Sequence, residues 1–329
     1  MGRKREALLP HRLGIDLGGT KMHAVVIDAK GHVLATARRA TKPEDGYHAV
    51  LKRLNTTIGE VAEAANVSLK ELPAIGLGMP GPIDEERGMV HVAPNLGWRD
   101  KKVARDLGEL IKNTVILGND VNYGALGEAT YGAAAGAPSS FAAFVGTGLG
   151  GGIILNGHLL NGRHGFAGEF GHIPSPFGKT KCSCGLIGCL ETYASKTGII
   201  RLIIEAKATG TPCYLDFDKN EKPKSSQIRQ AWKDDCPATN KAVRESCRAL
   251  AWGLASVAAI VDPAVFILGG GIMEALGKDL LKLVRDDMSE FSLLYSREKP
   301  DVRLAELGDD AVAIGAAVAS GDASEVPHD

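Results

Sequence analysis

Two stretches of this chain repeat one layout: a short apolar strand, a turn of glycines with a threonine, and an apolar return strand. The first is LGIDLGGTKMHAVVID, from Leu13 to Asp28. The second runs from Phe141 through GTGLGGG (Gly146 to Gly152) into Ile153-Ile154-Leu155. Such a pair implies an internal duplication, with a repeat too long and too diverged for a solenoid. A third glycine turn, Gly269-Gly270-Gly271, follows the apolar segment Ala264 to Leu268. Glycine lets backbone amides approach a phosphate, and threonine adds a hydroxyl donor. Any one of these turns could equally be an ordinary hairpin turn, because glycine is the usual turn residue. Three of them, two carrying threonine and one preceded by Asp16, favour phosphate binding.

The spacing Gly146-x-Gly148-x-x-Gly151 matches the dinucleotide fingerprint, which requires a helix after the turn. Here the apolar run continues as a strand, so that fold is disfavoured. No Gly-x-x-x-x-Gly-Lys-Ser/Thr motif occurs either.

Between the turns, strand and helix patterns alternate, as in α/β proteins. Tyr47 to Ala65 reads as a helix, and Ala74 to Leu77 and Val115 to Leu117 as short buried strands. In Ala242 to Val261, Val243, Cys247, Leu250, Leu254, Val257 and Val261 recur by threes and fours, the mark of one buried helical face. A last helix begins near Asp309-Asp310, whose charges suit a helix N-terminus, and its AVAIGAAVAS sequence permits close packing. Residues 213–237 are polar and mixed, with no function legible in them.

With 329 residues, 44% of them apolar, the chain can fill two domains. A net charge of −1 argues against a protein held on nucleic acid by a basic surface. The start lacks the apolar core of a signal peptide, and Glu6 stands where a myristoylation signal has Ser or Thr. The apolar run Ala249 to Val261 is too short to span a bilayer. These readings imply a cytoplasmic protein with reduced thiols, so the six cysteines are not expected to form a disulfide framework. His172, Cys182, Cys184 and Cys189 have the spacing H-x9-C-x-C-x4-C, and three thiolates with one imidazole suit tetrahedral Zn²⁺. Four protein ligands leave no open position, so such a zinc is structural. Asp120 stands directly after the strand Val115 to Leu117, where it could be a cleft carboxylate or a helix N-cap; the residues alone do not choose.

Taken together, IDLGGTK (Ile15 to Lys21), NDVN (Asn119 to Asn122), VGTGLGGG (Val145 to Gly152), GEFGH (Gly168 to His172) and CSCGLIGCLE (Cys182 to Glu191) resemble the ROK family of bacterial sugar kinases and sugar-responsive repressors. The resemblance runs from about residue 12 to the last helix. It implies an α/β fold of two ribonuclease-H-like domains of the actin-like ATPase type flanking a central cleft. The expected domains are 1–118 with 310–329, and 119–309 with the zinc loop. It implies ATP on the turn residues Gly18, Gly19, Thr20, Lys21, Gly146, Thr147, Gly148, Gly269 and Gly270, with Mg²⁺ held through Asp16. Asp120 becomes the general base, and Asn95, Asn119, Glu169, His172 and Glu191 bind sugar hydroxyls alongside it.

PNLGW (Pro94 to Trp98) resembles the glucokinase branch, which makes glucose the expected substrate; N-acetylglucosamine and N-acetylmannosamine kinases share nearly all these motifs. A homo-oligomer is expected, with neither nucleic acid nor membrane as partner. A repressor of this family would carry a helix-turn-helix module, for which the residues before the first turn are too few. A non-catalytic actin-like ATPase would have no use for the His172, Glu169 and Glu191 constellation.

Overall fold

A computed structural model describes residues 11–216, 222–295, 297 and 299–322. Its strands are β1 (His11–Leu17), β2 (Lys21–Asp28), β3 (Val33–Ala40), β4 (Ile75–Met79), β5 (Ile83–Asp84), β6 (Met89–Ala93), β7 (Trp98–Lys101), β8 (Val115–Asn119), β9 (Ser139–Val145), β10 (Leu149–Leu155), β11 (His158–Leu159), β12 (Val265–Gly269) and β13 (Val302–Leu304). Its helices are α1 (Tyr47–Ala64), α2 (Val103–Ile111), α3 (Asp120–Tyr131), α4 (Lys196–Ala208), α5 (Ser225–Lys233), α6 (Pro237–Val261), α7 (Gly271–Phe291) and α8 (Ala311–Asp322).

The duplication expected from the two turns is present in the sheets. One runs β3-β2-β1-β4-β8 and the other β11-β10-β9-β12-β13. In each, the leading hairpin is antiparallel: β1 with β2, and β9 with β10. Two later strands then add in parallel beside the first, β4 and β8 in one sheet, β12 and β13 in the other. The segment Leu149–Leu155 is strand throughout, so no helix follows the Gly146 turn and the dinucleotide reading fails.

The chain divides into two compact units, residues 1–136 with 158–167 and 309–329, and residues 137–157 with 168–308. The expected boundary at 118/119 differs from this, and α3 is the reason. Added Cβ atoms at Gly127 and Gly315 would lie 2.4 Å from Ala311 O and 1.7 Å from Tyr123 O, so α3 and α8 touch backbone to backbone. Helices this close share one core and cannot be assigned to different domains.

In the first unit α8 also lies directly on the sheet. A Cβ at Gly76 would fall 1.9 Å from Ala316 O. The small residues of AVAIGAAVAS thus serve the close packing expected of them. The opposite face of that sheet is covered by α1, which buries Val50, Leu51, Leu54, Ile58 and Val61. In the second unit α6 buries Val243, Cys247, Leu250 and Leu254, while Val257 is only partly covered and Ile260 is 84% exposed. The predicted face is right, and the last turn of that helix leaves the core. Among the described residues, no helix is long and apolar enough to cross a membrane.

An exposed helical glycine gains about 1 kcal/mol on replacement by alanine. At Gly315 the sign should reverse, because the new methyl group meets the Tyr123 carbonyl. Gly315→Ala is expected to lower stability by about 2 kcal/mol or more, read as a lower urea midpoint; an unchanged or raised midpoint would refute the close helix contact.

Candidate active site

In the first unit, β1, β4 and β8 are parallel neighbours, so their carboxyl ends lie side by side. Asp16 pairs in register with Gly78, and Met79 with Asn119. This is the edge at which α/β sheets bind ligands. The turn after β1 is tight, with the Gly18 N–H donating to Lys21 O at 3.0 Å. Thr41, fully buried, braces it: its hydroxyl donates to Gly18 O at 2.7 Å and its N–H to Thr20 O at 2.9 Å. Thr20 itself is exposed. Lys21 is paired with Asp309 at 2.9 Å. A Cβ on Gly19 would stand 2.8 Å from Asn95 Cβ, so Asn95 lies directly against this turn.

The helix-cap question at Asp120 is settled by its neighbour. Asn119 caps α3, its Oδ1 accepting from the N–H groups of Val121 at 2.9 Å and Asn122 at 3.1 Å. Asp120 is the first residue of that helix, and its Oδ1 also accepts from Val121 N–H at 2.9 Å. Capping uses the Asn119 acceptor, which leaves its Nδ2, 3.5 Å from Gly81 O, as the group able to meet a ligand.

Asp16 carries the largest electrostatic signature here. Burial, then the nearby Asp120 charge, push its carboxyl up to about 7, against the opposing pull of Lys21. A half-dry carboxylate beside a second one is a natural seat for a divalent cation, and Mg²⁺ favours few carboxylates plus phosphate oxygens.

Sequence reasoning missed His23. It is 1% exposed, takes a hydrogen bond from Arg38 Nε at 3.0 Å on Nδ1, and donates from Nε2 to Asp310 Oδ1 at 2.6 Å. Only the pairing of β2 with β3, and the placement of α8, bring those partners together. The one available signal was a histidine set in an otherwise apolar strand.

In the second unit, the Gly146–Gly148 turn closes on itself, Gly146 N–H donating to Gly148 O at 3.0 Å. The start of α4 holds it from outside: Lys196 N–H donates to Gly146 O at 2.9 Å and Thr197 Oγ1 to Thr147 O at 2.8 Å. The third turn meets it, since Gly270, at φ 85°, packs against the Val145 backbone and caps α7. Two turns and the N-terminus of α7 therefore lie side by side, and a helix N-terminus is a place where anions bind. A cavity of about 400 Å³ adjoins them, lined by Thr147, Gly148, Ser195, Thr197 and Lys222 among others.

The cysteine loop lies beside the same turn. His172, Cys182, Cys184 and Cys189 bring one ligand atom each to within 4.8 Å of the others. Cys184 and Cys189 sulfurs are 3.6 Å apart, and His172 Nδ1 is 3.8 Å from Cys182 Sγ. Zn–S bonds of about 2.3 Å make a tetrahedron with edges of about 3.8 Å, so the donor set fits the metal in both kind and spacing. Gly185 and Gly188, at φ 95° and 82°, allow the loop to fold back. His172 Nε2 points elsewhere, 3.8 Å from Glu169 Oε2. Glu191 joins loop to turn: its Oε2 accepts from Leu149 N–H at 2.9 Å, and its Oε1 from Ser183 Oγ at 3.4 Å. It is a buttress of the turn as well as a candidate ligand group.

The expected residues thus form two clusters, one per unit: Asp16, Gly18, Gly19, Thr20, Lys21, Asn95, Asn119 and Asp120 in the first, and the later turns, Glu169, Glu191 and the cysteine loop in the second. The ROK family pattern matches residues 12–322. This chain belongs to the ROK family.

A glucokinase of Halalkalibacterium halodurans is 34% identical to it over 92% of each chain. A ROK glucokinase of Streptomyces griseus, solved with glucose and AMPPNP, has a TM-score of 0.78 and 32% identity, covering 94% of this chain and 98% of that one. A xylose repressor of Caldicellulosiruptor bescii is 30% identical over 92% of this chain and 76% of its own length. The two-domain, actin-like ATPase fold of ROK kinases is accordingly the fold of this member of the family.

The raised Asp16 value gives a pH test. The folded chain keeps this proton up to about pH 7, whereas the unfolded chain loses it near the ordinary 3.8. Between those values the unfolded chain binds fewer protons, so metal-free stability falls as pH rises. Asp16→Asn should stabilise the metal-free protein at pH 8 by up to about 4 kcal/mol, and progressively less toward pH 4. A denaturant series giving a pH-independent difference would contradict this.

Proposed function

We propose that this ROK protein transfers the γ-phosphoryl group of ATP to a hexose hydroxyl, converting glucose to glucose 6-phosphate. The carrying observation is the meeting of Asp16 and Asp120 at the carboxyl ends of β1 and β8, beside the first glycine turn. Phosphoryl transfer needs a phosphate cradle, a cation and a carboxylate near the attacking hydroxyl. Support for glucose comes from the matched glucokinases and from the PNLGW sequence.

In this reading Gly18, Gly19, Thr20 and Lys21 hold phosphate oxygens, and Gly146, Thr147, Gly148, Gly269 and Gly270 supply further backbone donors. Asp16 would hold Mg²⁺, which neutralises charge on the phosphates. Asp120 accepts the hydroxyl proton as the sugar oxygen bonds to the γ-phosphorus; the bond to the β,γ-bridging oxygen breaks and ADP leaves with that electron pair. Sugar hydroxyls are assigned to Asn95, to Asn119 through its Nδ2, and to Glu169, His172 and Glu191. His172 Nδ1 with Cys182, Cys184 and Cys189 would hold a structural Zn²⁺ that fixes the imidazole and leaves Nε2 for the sugar. The reading includes a cytoplasmic setting.

A coupled ADP-release assay across glucose, mannose, N-acetylglucosamine and N-acetylmannosamine tests the substrate. Turnover should be fastest with glucose. Sugar binding without turnover would instead favour a regulator, the function of the matched xylose repressor. Asp120→Asn should lower kcat by about 10²- to 10⁴-fold while glucose affinity by calorimetry stays within a few-fold; near-normal turnover would remove Asp120 as base. Elemental analysis should find one zinc per chain, and Cys184→Ala should lose that zinc together with thermal stability and glucose affinity. Zinc-free protein of full stability, purified from metal-replete medium, would refute the metal assignment.

A further inference from the structure

Asn122 closes the NDVN sequence, and neither the phosphate turns nor the sugar-binding residues account for it. It is the third residue of α3, on the same helical turn as Asp120, and only 4% exposed. Asparagine is a poor helix former, and burying its amide costs stability unless the amide is hydrogen-bonded. A partner comes from far along the chain: Asn122 Nδ2 donates to Asn161 Oδ1 at 3.3 Å. Asn161 Nδ2 donates in turn to Glu85 Oε2 at 2.6 Å.

The three side chains form a directed series. An ionised carboxylate only accepts, so Glu85 selects which end of the Asn161 amide faces it. That leaves Asn161 Oδ1 for Asn122, which must present its Nδ2. Glu85 and Asn161 both sit on closed turns. Between β5 and β6, Asp84 Oδ1 accepts from Arg87 N–H at 3.0 Å, and Gly88 N–H donates to Glu85 O at 3.2 Å. Asn161 opens a loop that Ala167 N–H closes on Asn161 O at 3.1 Å, with Gly162 and Gly165 at φ 71° and 73° inside it. All of these residues belong to the first unit. At the helix, Asn122 N–H donates to Asn119 Oδ1 at 3.1 Å, and that oxygen also takes the Val121 N–H. Asn122 is therefore held twice, by the N-cap and by Asn161, and Asp120 lies between the cap and the held residue. Glu85 and Asn161 also line a cavity of about 600 Å³. They are its wall rather than packed core, so truncating Asn161 removes hydrogen bonds without leaving a hole in the interior.

We propose that Asn161 and Glu85 are positioning residues for the Asp120 base, fixing the first turn of α3 through Asn122. The inference rests on the kinase reading above and deepens it. In that reading none of the three side chains is assigned to sugar or phosphate, so what they supply is geometry. Misplacing a reacting group by about 1 Å can cost about 10²-fold in rate. Loss of a sugar contact would instead raise KM.

The test uses the full-length, zinc-loaded protein and reads two quantities: amide hydrogen exchange in peptides covering the first turn of α3, and the kinetics of glucose phosphorylation. In Asn161→Ala, exchange there should quicken by at least about five-fold. The same variant should lose at least about ten-fold in kcat, with glucose affinity by calorimetry held within about three-fold. In an Asp120→Asn background, Asn161→Ala should change the residual kcat by less than about two-fold, because the residue it positions is already disabled. Asn161→Asp alone places two carboxylates face to face and should lower kcat. Adding Glu85→Gln to it exchanges amide and carboxylate, restores both hydrogen bonds, and should bring kcat back to within about three-fold of the parent. This pair keeps the side-chain sizes, so it decides where truncation disturbs the loop. Unchanged exchange at α3, an equal loss of kcat with and without the Asp120 carboxylate, or no recovery in the exchanged pair would overturn the proposal. A parent protein that binds glucose but turns over none would refute the kinase reading itself, and is told apart from failure of the anchor by the exchange data.

Discussion

Two carboxylates at the carboxyl ends of β1 and β8, the parallel strands on either side of β4, set the terms for the first unit. Burial, and then the nearby Asp120 charge, raise the cost of ionising Asp16. Isolated, such a pair is a defect that a fold would remove. It persists here beside a turn of glycines, a threonine and a lysine, where a cation and a polyphosphate would relieve it. The close packing of α8 on α3 and on the sheet serves the same end. It fixes the start of α3, hence Asp120, to the strand that carries Asp16. Asn119 is the N-cap of α3, and Asp120, the first helical residue, shares the Val121 N–H with it.

The second unit solves a different problem with the same sheet order. Its glycine turns need outside bracing, since glycine alone leaves a loop without a preferred conformation. The bracing comes from α4 through Lys196 and Thr197, and from Glu191 through Leu149. Glu191 is in turn two residues from Cys189. A metal on the four clustered ligands would therefore stiffen a phosphate turn as well as orient His172. In the proposed reading this would couple metal content to nucleotide handling.

Much of this was legible in the chain. The duplicated strand–turn–strand layout led to the two sheets of matching order, and the small-residue run Ala311 to Ser320 to a tightly packed helix. The four clustered metal-ligand residues are close in sequence, and they meet in space for that reason. What escaped was long-range. The domain boundary moved because α3 packs on a helix about 190 residues later in the chain. His23 found Arg38 across a strand pair and Asp310 from the far end of the sequence. Residues 213–237 appeared featureless because Tyr214 meets Cys236 only when the segment folds along α6. Periodicity reports on one element at a time, and none of these contacts lies within one element.

The central claim is that the chain moves a phosphoryl group from ATP to a sugar oxygen rather than to water. The most direct measurement is phosphorus NMR of the purified protein incubated with MgATP and glucose. ADP and glucose 6-phosphate should appear in equal amounts, with no inorganic phosphate. Inorganic phosphate in step with ADP, or unchanged ATP in a sample whose glucose binding is demonstrated by calorimetry, would contradict it.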